Sequence, residues 1–212
     1  MERSYPAAET KGINIYSESS LHEAVKAYLA REGDRLEVPV DGKVVDLVRS
    51  DGELVEIQTA RLDKIAAKAE ALARTARVRI VVPIPAEKQI LRLDPSTGEL
   101  LSSRRSPKRG TVFCLFDDLV KASRLMSVPG LTLEVLLVKT KEFRTRDGKG
   151  SWRRKGDSRV DRELAEVLER WEFSSPGDWL SLLPPGGPWD SSSLGEALGI
   201  APASARKILY CF

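Results

Sequence analysis

Apolar residues at positions 21, 24, 25, 28 and 29 follow the three-and-four spacing of one helix face and predict a helix over residues 21–29. From residue 36 the apolar period drops to two. The runs LEVPV, KVVDLVR and ELVEIQT predict three short antiparallel strands across residues 36–59, joined at Asp41-Gly42 and Ser50-Asp51-Gly52. Residues 61–76 return to helical spacing, with Leu62, Ile65, Ala66, Ala69, Leu72 and Ala73 as the buried stripe. Residues 78–84 (VRIVVPI) then predict a buried strand. Strand, helix and strand in this order form a crossover that makes the sheet locally parallel.

Further along, residues 90–93 and 99–101 flank Asp94-Pro95-Ser96-Thr97-Gly98 and predict an added hairpin. A helix over 111–126 and a strand over 131–138 complete a mixed sheet of about five strands. Residues 160–171 and 178–183 predict two more helices. Residues 193–210 resemble a helix-turn-helix: Leu194, Ala197 and Leu198 pack the first helix, Gly199 turns, and Ile200, Ala205, Ile208 and Leu209 seat the second. The expected organisation is an N-terminal arm (1–12), an αβ domain (13–142), a basic connector (143–158) and a small helical domain (159–212).

The composition narrows the chemistry. A chain of 212 residues is long enough to bury a core without staples. Its only cysteines, Cys114 and Cys211, set up neither a disulfide framework nor a zinc site. His22 is the only histidine, which removes the usual hydrolase triads and most zinc chemistry. No apolar run reaches bilayer-spanning length, and the first residues do not read as a signal peptide, so no membrane partner and a cytoplasmic location are expected. The net charge of +3 is mild, so any nucleic-acid argument depends on where the charge lies.

The triple strand carries the candidate chemistry. A three-residue Ser50-Asp51-Gly52 loop, with Gly52 in the left-handed conformation, pairs Arg49 with Glu53 and sets Asp46 opposite Glu56. Gln58 then shares their face. A two-residue Asp51-Gly52 loop would send Asp46 and Glu56 to opposite faces. Opposed carboxylates repel unless a cation lies between them, and hard oxygen ligands suit magnesium. Ser20 and Glu23 form a Ser-x-x-Glu capping box at the first helix.

The order of a Glu23-bearing helix, then Asp46, nine intervening residues and Glu56-Ile57-Gln58 resembles the PD-(D/E)XK nuclease superfamily. The resemblance implies a restriction-endonuclease-like αβ sandwich with a mixed sheet, Asp46 and Glu56 as ligands of Mg2+ (with Mn2+ as an alternative), Gln58 positioning the attacking water and Glu23 as an extra first-helix acid. Val45 stands where the motif has Pro, and Gln58 where it usually has Lys. Gln orients a water but carries no charge. Lys64 and Lys68 on the crossover helix offer a displaced lysine, with surface solvation as their ordinary reading.

Basic residues collect in two stretches. Residues 102–110 hold Arg104, Arg105, Lys108 and Arg109. Residues 139–162 carry ten bases against four acids, including Arg144, Arg146, Lys149, Arg153, Arg154 and Lys155, with Trp152 interleaved. Such segments suit phosphates, or else remain solvated. In the tail, Ser204, Arg206 and Lys207 would lie towards a major groove. The expectation is a metal-dependent DNA endonuclease-like protein with DNA as partner and room for a homodimer. An inactive nuclease-fold DNA-binding or regulatory protein, or a protein-interaction scaffold, is the alternative.

Overall fold

Local turn chemistry sets the N-terminal half. The computed structural model describes residues 20–149 and 156–212. The predicted arm at 1–12, and Trp152, Arg153, Arg154 and Lys155 of the connector, lie outside the described residues. Helix α1 (Ser20–Leu29) buries Leu21, Val25 and Leu29. The predicted capping box does not use Ser20 as cap: its N–H and hydroxyl both donate to the carboxylate of Asp161, a residue 141 positions away.

Strands β1 (Arg35–Val40), β2 (Lys43–Val48) and β3 (Leu54–Ile57) follow as an antiparallel meander. Asp41 and Gly42 both have positive φ, as a two-residue hairpin turn of this twist requires. The second turn has the predicted three-residue form. The Arg49 N–H donates to Glu53 O at 2.9 Å, and Gly52 adopts φ +85°. With Leu47 paired to Val55 and Val48 to Leu54, the same register brings Asp46 level with Glu56. The buried Arg49 guanidinium ties this turn to the end of α1 through Leu29 O (2.7 Å) and to Asp34 (2.5 Å).

Helix α2 (Leu62–Leu72) carries β3 into the parallel strand β4, from Leu54↔Val78 to Ile57↔Val81. β4 (Val78–Leu93) is longer than predicted. It runs unbroken into the first arm of the expected hairpin, whose second arm is β5 (Leu100–Arg105). Pro83 and Pro85 have no N–H to give to the ladder, and the register against the next strand shifts between Pro85 and Glu87.

The expected helix at 111–126 is broken. Two 3-10 turns, Val112–Leu115 and Ser123–Ser127, flank a single α-turn, α3 (Phe116–Leu119). The helical spacing still buries Val112, Leu115, Phe116, Leu119, Ala122 and Leu125.

The predicted helix at 160–171 is instead strand β7 (Asp157–Phe173), paired antiparallel with β6 (Leu131–Arg146). Glu- and Leu-rich sequence favours a helix in isolation, but β6 offers sixteen residues of ladder and matching charge. Lys139 meets Glu166 at 2.6 Å and Lys141 meets Glu163 at 4.0 Å. The boundary drawn at 142/143 therefore falls inside β6, and residues 143–146 and 157–158 of the expected connector belong to the paired strands.

Among the described residues the sheet has seven strands in the order β1-β2-β3-β4-β6-β7, with β5 added to β4. It is mixed, and helices pack on both faces. α1 covers Leu47, Val55, Ile57, Val81, Leu136 and Val138 on one face. The larger core on the other face joins α2 and α3 to the tail helices α4 (Pro176–Leu180), α5 (Ser191–Leu198) and α6 (Pro202–Cys211). Gly199 makes the α5–α6 turn at φ +64°. The tail shares this core: Trp179 stacks on Phe173 with centroids 4.3 Å apart, and Phe212 stacks on Phe116 at 6.1 Å.

Candidate active site

β2 and β3 pair only at Leu47↔Val55 and Val48↔Leu54. Beyond that point the Asp46 carboxylate replaces the ladder, its Oδ2 accepting the Ile57 N–H at 2.7 Å. Side chains from both helical layers meet there. From α1, His22 Nε2 faces Asp46 Oδ1 at 3.4 Å. From α2, Lys68 Nζ lies 2.5 Å from Glu56 Oε1 and donates to Val44 O at 2.5 Å. A cleft of about 370 Å³ opens on this group, lined also by Gln58, Thr59, Lys64 and Ile65.

The electrostatics separate the two acids. Burial acts to raise the Asp46 pKa, but the facing His22 ring, the Ile57 N–H and the Lys68 charge together hold it below the usual Asp range. Burial lifts Glu56 above the usual Glu range, with the negative charge of Asp46 adding to it and Lys68 and His22 opposing it. Glu56 has a 4% exposed side chain, and its Oε1 meets Lys68 as an ion pair without hydrogen-bond geometry. Both acids therefore sense the same small set of neighbours.

The backbone beside the cleft is strained. Arg61, the residue before α2, has φ +62°, a left-handed conformation that costs a non-glycine residue about 1–2 kcal/mol. It is held by its N–H to Asp118 (3.3 Å) and its guanidinium to Asp63 (3.0 Å). The Gln58 amide donates to Ala60 O and, at 3.4 Å, to Arg61 O.

Asp46 and Glu56 are hard-oxygen carboxylates, the donor type magnesium takes one or two of, and here Asp46 meets His22 and the Ile57 N–H while Glu56 meets Lys68. No cluster of three or more His, Cys, Asp or Glu suited to a metal occurs among the described residues.

Of the predicted site residues, Glu56 and Gln58 line this cleft, and Asp46 lies level with Glu56 and meets the cleft-lining His22 and Ile57. Glu23 is exposed and pairs with Lys26 at 2.9 Å; the α1 residue that reaches Asp46 is His22, one position earlier. In the sequence His22 marks only what chemistry the chain lacks. Its place on α1, level with the site and beside Glu23, was the available signal. Lys68 was recognisable from its place on the crossover helix.

The basic residues fall into separate places. Arg104 and Arg105 on β5 and Arg109 line a second cleft with Lys88, Lys139 and Lys141. Lys108 is exposed nearby. Arg144 folds back onto Glu142 at 2.5 Å, while Arg146 and Lys149 are exposed at the far end of the β6–β7 hairpin. In the tail, Arg206 is exposed and Ser204 half-buried. Lys207, expected to face a groove, pairs with Asp117 beside α3 at 2.7 Å, both side chains remaining partly exposed.

The fold and cleft define a mixed α/β protein with one mixed sheet covered on both faces. No helix among the described residues is long and apolar enough to cross a membrane. Residues 19–174 match a family described as a domain of unknown function (DUF8091), and the chain belongs to that family. That span includes α1 and all seven strands and ends before α4. A protein of Treponema pallidum (strain Nichols) carrying the name "Uncharacterized protein" is 32% identical over 165 residues, covering 78% of this chain. The chain spans 65% of the length of that relative. No solved structure matches.

Proposed function

We propose that the chain is a metal-dependent endonuclease-like protein acting on DNA phosphodiesters, built on a restriction-endonuclease-like variant of the mixed αβ sandwich. The observation that carries the reading is the opposition of Asp46 and Glu56, with a lysine delivered to Glu56 from α2. Lys68 supplies the cationic group that Gln58 cannot provide from the strand. Bound between Asp46 and Glu56, magnesium would supply Lewis-acid stabilisation of phosphate charge and activate water. His22 and the Ile57 N–H orient the Asp46 carboxylate, and exposed Lys64 at the mouth attracts the phosphate backbone.

In the test, the full chain is incubated with supercoiled plasmid in magnesium or manganese. Cleavage is expected, and Asp46→Ala should reduce it by about a thousandfold or more, the scale of losing several kcal/mol of transition-state stabilisation. Cleavage that persists in Asp46→Ala through several purification steps would refute the assignment.

A second reading, a DNA-binding or regulatory protein without hydrolysis, is favoured by one observation. The Gln58 amide is turned to the carbonyls of Ala60 and Arg61 rather than to the carboxylates. It predicts salt-sensitive DNA binding with no cleavage in either metal.

A further inference from the structure

Beyond the N-terminus of α1, the sheet face that carries this helix turns from apolar to cationic. β6 alternates Leu136, Val138, Thr140, Glu142 and Arg144 onto that face, and the first two pack under α1. The strand registers add Lys88 and Arg92 from β4, Arg104 from β5, and Arg162 and Arg159 from β7. The contacts agree with this grouping. Glu142 pairs with Lys88 at 2.9 Å and with Arg144 at 2.5 Å, and Arg92 meets Asp157 at 2.5 Å. Arg105, Lys139 and Lys141 lie on the opposite face.

These six cations meet three acids, Glu142, Asp157 and Asp161, and Asp161 is already taken by the N–H and hydroxyl of Ser20. Three positive charges are therefore in surplus. Among the described residues, the guanidinium groups of Arg104, Arg159 and Arg162 have no hydrogen bond or ion pair; the first two are exposed and the third is half-buried. Burial holds Arg162 below the usual Arg range, with the positive charge of Arg159 adding to it and Glu142 and Asp161 opposing it. No described residue on this part of the face is aromatic, because Phe143 and Trp171 alternate to the other side. The first turn of α1 joins the face to the carboxylate cleft: Ser20 bonds Asp161, and His22, two positions on, faces Asp46.

We propose that this face is a docking surface for the phosphate backbone of duplex DNA, which it holds beside the carboxylate cleft. Five of the six cations are arginines, whose planar forks match phosphate oxygens. Without aromatic side chains the face offers nothing for unpaired bases to stack on, so it suits a duplex better than a single strand. Across β5, β4, β6 and β7 it spans about 14 Å at the usual strand spacing, comparable with the roughly 12 Å width of a major groove, which brings phosphates of both strands within reach. Contacts of this kind position a duplex without reading its bases. The orientation of the duplex towards the cleft rests on the nuclease reading of that cleft; the docking itself does not.

The test measures binding of the full chain in EDTA, over a salt series, to a short duplex of mixed sequence and to each of its single strands, with polyglutamate as competitor. The duplex should bind more tightly than either strand. Combined Arg104→Gln and Arg159→Gln exchange should weaken duplex binding about tenfold or more and flatten the slope of log K against log salt by about two, the scale of two lost phosphate contacts. Arg31→Gln with Arg74→Gln removes the same charge at the far ends of α1 and α2, and should change affinity by less than about twofold. Such binding without cleavage in magnesium supports the docking surface and counts against the nuclease reading alone. Equal losses in the two double variants, or tighter binding of the single strands, overturns the proposal. Displacement by polyglutamate as effective as by unlabelled duplex also overturns it and assigns the face to an acidic protein.

Discussion

The two clefts lie towards opposite ends of β4 and handle charge in opposite ways. In the carboxylate cleft Asp46, Glu56, His22 and Lys68 are mostly withdrawn from water, and each acid is matched to a neighbour inside the fold. On the exposed strand β5, Arg104 and Arg105 point to opposite faces, and neither side chain has an ion pair among the described residues. A buried charge must be compensated where it lies, because desolvation is costly. An exposed surplus is tolerated because water and salt screen it. Partners in the first cleft therefore support the fold, while the surplus in the second remains available to a ligand.

The sharpest way to break this comparison is to remove one cation from each cleft. Lys68→Met leaves Glu56 buried beside Asp46 without its ammonium, and should cost about 2–3 kcal/mol in urea unfolding. The Arg104→Gln and Arg105→Gln pair should leave the midpoint unmoved. Equal losses would mean that the basic cleft is also internally balanced. Adding Glu56→Gln to Lys68→Met should recover much of the first loss, with a coupling of about 1–3 kcal/mol in a double-mutant cycle.

A smaller effect should follow from Gly110, whose N–H donates to Pro85 O at 3.1 Å. A Cβ there would stand 2.5 Å from Pro85 O and 2.9 Å from Ile84 Cγ2. Gly110→Ala should cost about 1–3 kcal/mol, the scale of overpacking.

The smallest effect concerns pH. Asp46 is held below its usual value of 3.8, so its contribution to stability is present above that pH and lost as pH falls through the folded pKa. Glu56 is raised above 4.5, so the native state holds its proton more tightly than the unfolded chain does. Its contribution therefore falls as pH rises from 4.5 through the folded pKa. Relative to the parent, Glu56→Gln should gain stability across that upward window, while Asp46→Asn should lose its deficit towards low pH. Parallel profiles for the two variants would show that the acids do not titrate against different surroundings.

Much of the carboxylate cleft was legible along the chain. Ser50-Asp51-Gly52 is a local device, and a glycine able to take positive φ was enough to set Asp46 level with Glu56. The α2 stripe and the α5–Gly199–α6 turn rest on equally local signals. His22 was not legible as a site residue, because the reach of one helix face to a particular strand depends on how α1 docks. The extent of β6 and β7 was also hidden. Val160, Leu164, Val167 and Trp171 carry near-helical spacing, and only pairing with a distant strand makes them extended.

Period, turn chemistry and crossover order thus determined the mixed sheet and the opposition of two acids, since each rests on interactions within a few residues. Tertiary structure alone decided which cations those acids face, that the tail joins the main core, and that Arg104 and Arg105 stay unpaired. Those outcomes depend on contacts between elements far apart in sequence, where burial and charge compensation outweigh local preference.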